Sequence, residues 1–259
     1  MDYFYQHLSS IPRLSIGELS AQLGVSSATL SRFARHVGYR DFKELKTAIL
    51  EQTQEEPPAQ KLFVTLDQPG TLDVAALLSH QQYCLAKTIE NSSSAEAERA
   101  VEAMVSARKV FLYGKGAAHW LSGLLQFRLN RFSMQTVLLP GGGSELFEAL
   151  VHAGEGDIVV LFGFSKLPRE ARVILRHSKK AGYRTVLITS MLFNGEADRA
   201  DINLFVYRGE ASEYHSMAAP AALVDALVVL IAERLGETGL QRLKDLYQLK
   251  ELYFSDIPR

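Results

Sequence analysis

The sequence predicts an all-α N-terminal domain carrying a helix-turn-helix, followed by a doubly wound α/β domain with a mainly five-stranded parallel sheet. Two patterns carry this. From Ser15 to Gly38 apolar residues recur at helical spacing on either side of a glycine turn. From Lys109 to Arg208 five short apolar runs alternate with helical stretches, the mark of a parallel sheet covered on both faces. With 259 residues, 47% of them hydrophobic and 22% charged, the chain has the composition of a two-domain globular protein.

Residues 1–14 read as one helix, with Tyr3, Phe4 and Leu8 on its apolar face and Pro12 ending it. Ser15 can cap a helix running to Leu23, with Glu18 in the capping-box position, and Gly24 suits the tight turn that follows. Ser26 can cap a second helix from Ser27 to about Val37, with Leu30, Phe33, Ala34 and Val37 on its inner side. Its other side carries Ser27, Thr29, Ser31, Arg32, Arg35 and His36: hydroxyls near the start and cations further along, a mixture suited to base edges and phosphates. The same pattern fits an ordinary helical hairpin with a solvated face. Asp41 can cap a third helix, with Phe42, Leu45 and Ile49 inward and Lys43 and Lys46 free to meet phosphate. The domain is expected to span 1–54.

Pro57, Pro58 and Pro69-Gly70 mark 55–70 as an irregular linker. Two helices are expected next, around Leu72–Ile89 and Ala95–Ala107, separated by the cap-rich Asn91 to Ser94. Strand-like runs follow at 109–114, 136–141, 157–163, 184–190 and 202–208, then a helix from about Pro220 to Leu235. The second domain is thus expected to span 71–239. Residues 240–259, with leucines at 240, 243, 246, 249 and 252, form an amphipathic helix that must pack on its own domain or on a partner.

A net charge of -1 argues against wholesale binding of nucleic acid, so affinity for DNA has to come from a local patch. Arg32, Arg35, Arg40, Lys43 and Lys46 supply one against only Asp41 and Glu44. The single cysteine, Cys84, leaves no intrachain disulfide and no cysteine-rich metal site, and fits a reducing compartment. The N-terminus lacks the pattern of a signal peptide, and the longest nearly apolar run, Ala218 to Ala232, is too short to span a bilayer. A cytoplasmic protein without membrane partners, metal or cofactor is expected.

In a doubly wound sheet, ligands bind at the carboxyl ends of the strands. Gly114-Lys115-Gly116-Ala117 can cradle a phosphate on backbone N–H groups beside the Lys115 charge, or simply form a tight turn. In Gly141-Gly142-Gly143-Ser144, Ser144 can cap the next helix or touch a ligand. Ser165, Lys166 and Arg169 place a hydroxyl and two cations around a helix start, which also suits a plain cap with Pro168 nearby. Glu213 and His215 are candidates for acid–base chemistry or members of a polar surface loop.

The segments Val25-Ser26, Thr29-Leu30, Arg32-Phe33, Gly38, Phe42 and Leu45-Lys46, together with Gly156-Asp157-Ile158 and Gly182, Val186, Ile188-Thr189, resemble the RpiR family over nearly the whole chain. The resemblance implies a bacterial transcription regulator with a C-terminal SIS (sugar isomerase) domain that senses phosphosugars. It further implies a homodimer or homotetramer on a double-stranded DNA operator, and no catalysis. Two departures bear on the effector. Ala118 stands where the SIS pattern has a serine, and of the phosphate loop S-x-S-G-x-T only Ser165 survives in Gly163 to Pro168. Lys115, Lys166 and Arg169 can replace the lost hydroxyl donors with charge-assisted bonds. The alternatives are an isomerase-like enzyme using Glu213 as base, and a regulator whose SIS domain serves only for dimerisation.

Overall fold

The computed structural model describes residues 11, 14–36, 39–53, 58–67, 72–165, 167–191, 198–210, 212–254 and 256. The helix expected over 1–14 lies almost wholly outside these residues, and so do Val37, Gly38 and Lys166.

Helix α1 (Ile16–Leu23) begins as its capping box dictates: Ser15 Oγ accepts from the Glu18 N–H at 3.2 Å, and Glu18 Oε2 accepts from the Ser15 N–H at 2.7 Å. It ends at Gly24, whose φ of 64° and ψ of 28° are left-handed. Helix α2 (Ser27–His36) starts after Ser26, whose hydroxyl accepts from the Thr29 N–H at 3.1 Å. Asp41 caps α3 (Phe42–Thr53) through the Glu44 N–H at 2.9 Å. Leu19, Leu30, Ala34, Phe42, Leu45 and Ile49 close around Ile11 into one small core. Lys46 departs from expectation. Its ammonium turns inward and donates to the Leu14 carbonyl at 2.5 Å, which takes it off the phosphate-facing set.

The stretch expected to be irregular, 55–70, contains a helix, α4 (Pro58–Leu66). Proline halts a helix from within but suits its first position, where the missing N–H would have had no partner. Next come α5 (Val74–Asn91) and α6 (Ser94–Val105), capped by the side chains of Asp73 and Ser93.

The second domain runs β1 (Val110–Gly114), α7 (Ala117–Asn130), β2 (Thr136–Leu138), α8 (Gly143–Leu150), β3 (Ile158–Phe162), α9 (Arg169–Ala181), β4 (Arg184–Thr189), β5 (Ile202–Phe205) and α10 (Ala218–Leu252). All five strands are parallel, in the order β2-β1-β3-β4-β5. Alternate residues serve opposite layers. Val110, Leu112, Val160, Phe162 and Ile188 pack with α6, α7 and α10, while Phe111, Tyr113, Val159, Leu161 and Leu187 pack with α8 and α9. At the amino end of the sheet, buried Asp157 accepts from Arg108 Nε at 3.0 Å, Arg108 Nη2 at 2.8 Å and the Gly154 N–H at 2.9 Å. The Arg108 bond holds its carboxyl below the usual carboxylate range, against the opposing effect of burial.

The two C-terminal helices expected either side of residue 239 form one helical run broken only at Gly236, with φ 55° and ψ -137°. Beyond that break Leu240, Tyr247, Leu249 and Leu252 are exposed. Among the described residues, no helix is long and apolar enough to cross a membrane.

Candidate functional site

Three regions gather the polar residues singled out above. In the first, α2 turns Leu30 and Ala34 into the small core and leaves Thr29, Arg32, Arg35 and His36 exposed, with Ser31 partly so. Some of its hydroxyls hold local structure. Ser26 Oγ lies 2.9 Å from Thr29 Oγ1, and Ser27 Oγ lies 3.1 Å from Ser20 Oγ of α1, tying the two helices across the turn. Arg40 and Lys43 are exposed beside the start of α3, with Arg40 Nε 3.3 Å from Asp41 Oδ2.

The second region is the carboxyl end of the sheet. Chain order reverses direction between β1 and β3, and a crevice opens outside the strand ends at such a switch. Helices α7, α8 and α9, which leave β1, β2 and β3, start at Gly116, Gly142 and Pro168, and none of the three has a side-chain cap. By contrast α1, α5 and α6 are all capped by side chains. First turns without a side-chain cap leave the positive end of the helix dipole open, which suits an anion, although in α7 the Ala118 and His119 N–H groups already donate to the Lys115 and Gly116 carbonyls at 3.2 and 3.1 Å.

Glycine is obligatory in this architecture at two points. A Cβ on Gly114 would sit 2.3 Å from the Ala118 carbonyl oxygen, so only glycine lets α7 pack so close to its strand. Gly116 has a φ of 59°. Lys115 between them does not wait free: its Nζ donates to Glu170 Oε1 at 2.8 Å, linking the β1 loop to the first turn of α9. Lys115 in turn holds the Glu170 carboxyl below its ordinary range. Ala117 opens α7, Ser165 is partly buried in the β3 loop, and Arg169 is exposed at the first position of α9. Ser144 is not a cap, because Gly142 takes that position and Ser144 lies exposed within the first turn.

Glu213 belongs to a different cluster, in the loop after β5. Its Oε2 accepts from the Glu210 N–H at 3.1 Å and lies 3.5 Å from His80 Nε2 on α5. Cys84 Sγ is 3.7 Å from that same nitrogen. A nucleophile–base–acid relay needs the two ring nitrogens to face opposite partners, whereas both contacts here converge on one, and burial pushes the Cys84 thiol up. Among the described residues, no group of histidine, cysteine and carboxylate side chains is arranged to hold a metal ion.

Arg208, in the same cluster, reaches back toward the crevice. Its guanidinium, in a residue only 8% exposed, lies 4.4 Å from the Phe164 ring of the β3 loop and donates to the Ser216 and His215 carbonyls at 3.1 Å each. Burial lowers its pKa to about 10. His215 lies 3.4 Å from Lys61 Nζ of α4, and the Tyr214 N–H donates to Thr65 Oγ1 at 2.9 Å. Burial first, then the Lys61 and Arg208 charges, lower the His215 pKa to about 4, so the ring is neutral at pH 7.

Sequence reasoning did not single out Glu170, Arg208 or Ser190. Glu170 carried a signal, an acid in the first turn of a helix behind a proline. Arg208 carried a weaker one, a lone cation closing an apolar run. Ser190 Oγ, buried just past β4 and without a partner among the described residues, carried none.

The descriptions of known families and proteins agree with this arrangement. Residues 1–56 match the helix-turn-helix domain of the rpiR family, and residues 103–230 match the SIS domain. A relative in Caldanaerobacter subterraneus, described as an uncharacterized HTH-type transcriptional regulator, is 24% identical over 236 residues, covering 90% of this chain and 83% of that protein. Among solved structures, the sugar isomerase domain of an RpiR transcription factor from Sphaerobacter thermophilus superposes with a TM-score of 0.62 at 24% identity, covering 67% of this chain and 97% of that one. The NanR protein of Vibrio vulnificus, solved in complex with ManNAc-6P, gives a TM-score of 0.62 at 18% identity and covers 100% of this chain and 92% of its own.

Proposed function

The chain belongs to the RpiR family, a helix-turn-helix domain joined to a SIS domain, and from that premise we propose that it binds double-stranded operator DNA through α2 and senses a phosphosugar at the carboxyl end of its sheet. The observation that carries the sensing half is the convergence of three uncapped helix starts on the switch crevice. A phosphate monoester supplies the two or so negative charges and the acceptor oxygens that such a site lacks. Ser165, Arg169 and Lys115 are the side chains we assign to it, with Lys166 a further candidate from the sequence and Gly114, Gly116 and Ala117 supplying backbone.

On DNA, Ser26, Ser27, Thr29 and Ser31 are assigned to the start of the contact, and Arg32, Arg35 and His36 to its continuation, with Arg40 and Lys43 on phosphate. Two such helices, in two copies, would read half-sites about 34–36 Å apart. Exposed Trp120 and Phe127 on α7, Phe147 on α8 and Val151 just past its end support assembly into a homodimer or homotetramer.

Arg208 gives the sensor a route to the DNA-binding domain. It touches Phe164 of the ligand loop on one side, and the backbone of the loop held by Thr65 and Lys61 of α4 on the other. Helix α4 follows the DNA-binding domain in the chain, so a ligand that shifts the β3 loop biases the helix leading to it. Titration of labelled upstream DNA with the protein tests this reading, with a sugar-phosphate panel headed by ManNAc-6P, the ligand of the NanR neighbour. Specific binding shifted by one compound supports it; no specific binding contradicts it.

A further inference from the structure

Lys115 reaches into the crevice with its charge already engaged. Its partner Glu170 stands in the first turn of α9, its side chain 26% exposed, and bonds the ammonium at 2.8 Å. The β2 loop closes on the same carboxylate: a Cβ built on Gly142 would lie 3.0 Å from Glu170 Oε1. One carboxylate therefore stands where the loops of β1, β2 and β3 converge, on the cation and beside the helix starts that an incoming anion would use.

Resting on the phosphosugar reading above, we infer that Glu170 is the specificity-determining residue of this crevice. Its carboxylate competes with the ligand's phosphate for Lys115. A bare anion such as inorganic phosphate has to break that pair and offers Glu170 only the P–OH of the same group that Lys115 and the helix starts would hold. A phosphate ester that carries hydroxyl or amino groups brings such donors with it, and the displaced carboxylate accepts from them. The ligand class so selected is a phosphorylated polyol or amino sugar, with free phosphate discriminated against.

The test uses the full chain and two probes, inorganic phosphate and glucosamine 6-phosphate, titrated calorimetrically into wild type, Glu170→Gln, Lys115→Met and the double variant. Glutamine keeps the shape and removes the competing charge. Phosphate is expected to bind Glu170→Gln about three- to five-fold more tightly than wild type, the size of an exposed ion pair. Lys115→Met and the double variant are expected to bind it more weakly than wild type. The preference for glucosamine 6-phosphate over phosphate is expected to shrink in Glu170→Gln. Unchanged or weaker phosphate binding in Glu170→Gln, with Lys115→Met still impaired, overturns the role of Glu170 and leaves the crevice as the ligand site. A wild-type preference of one overturns the selection of donor-bearing esters. Failure of both probes to bind any of the four proteins overturns the crevice reading, and this inference with it. Thermal unfolding of each variant shows that the fold is intact.

Discussion

Arg208→Lys is the substitution that separates a structural role for Arg208 from a coupling role. The guanidinium serves two carbonyls at once, with Nε on Ser216 and Nη2 on His215, each at 3.1 Å, while its Cζ lies 4.4 Å from the centre of the Phe164 ring. An ammonium is a single point and cannot span both carbonyls from one position, so one of them loses a charged donor in a nearly closed environment. That loss is worth about 1–3 kcal/mol, and for a domain of this size each kcal/mol lowers the melting temperature by about 2–4 °C. Calorimetry on the SIS-domain transition measures this. Anisotropy on operator DNA measures the rest: DNA affinity without ligand is expected to stay within about two-fold of wild type, while the factor by which ligand changes that affinity falls toward one. An Arg208→Lys protein that melts several degrees lower yet keeps the full ligand-induced shift refutes the coupling argument, because the contact would then be structural only.

Other perturbations probe separate parts of the account. Arg32→Ala and Arg35→Ala, both on the exposed side of α2, are expected to weaken DNA binding without changing thermal stability, each lowering the slope of log affinity against log salt by about 0.9 if it meets a phosphate. Gly114→Ala brings a methyl within 2.3 Å of the Ala118 carbonyl oxygen, so α7 has to retreat from β1 and stability falls by about 1–3 kcal/mol or more, read from chemical denaturation. Asp157→Asn weakens the bidentate Arg108 pair. Because the folded carboxyl is held below its unfolded value of about 3.9, the stabilisation is present above that pH and disappears as pH falls through the lower folded value. Wild type is therefore expected to melt above Asp157→Asn at pH 7, with the gap narrowing below about pH 4.

The fold was largely legible because its signals are local. The Ser15-Glu18 capping box, the turn at Gly24 and the unbroken apolar runs of β1, β3 and β4 each act within a few residues. Helix α4 was hidden because Pro58 signals a break as readily as a first helical turn. The loops of the crevice could be found from glycines next to strand ends. The pairing of Lys115 with Glu170, 55 residues apart, could not, and neither could the contact of Arg208 with Phe164, since both depend on which strands become neighbours. Ser144 looked like a cap because serine usually is one. Glycine at 142 and 143 instead let the helix start early and placed the hydroxyl inside its first turn.

The central claim, a DNA-binding regulator gated by an anionic sugar, is tested most directly by fluorescence anisotropy of the purified full chain on DNA from upstream of its own gene, at two salt concentrations, with and without each member of a sugar-phosphate panel. The account predicts salt-sensitive, sequence-specific binding that one phosphorylated sugar shifts and inorganic phosphate does not. Specific binding that no phosphorylated sugar shifts would contradict the sensing role of the crevice, and absence of specific binding would contradict the assignment of α2 to DNA.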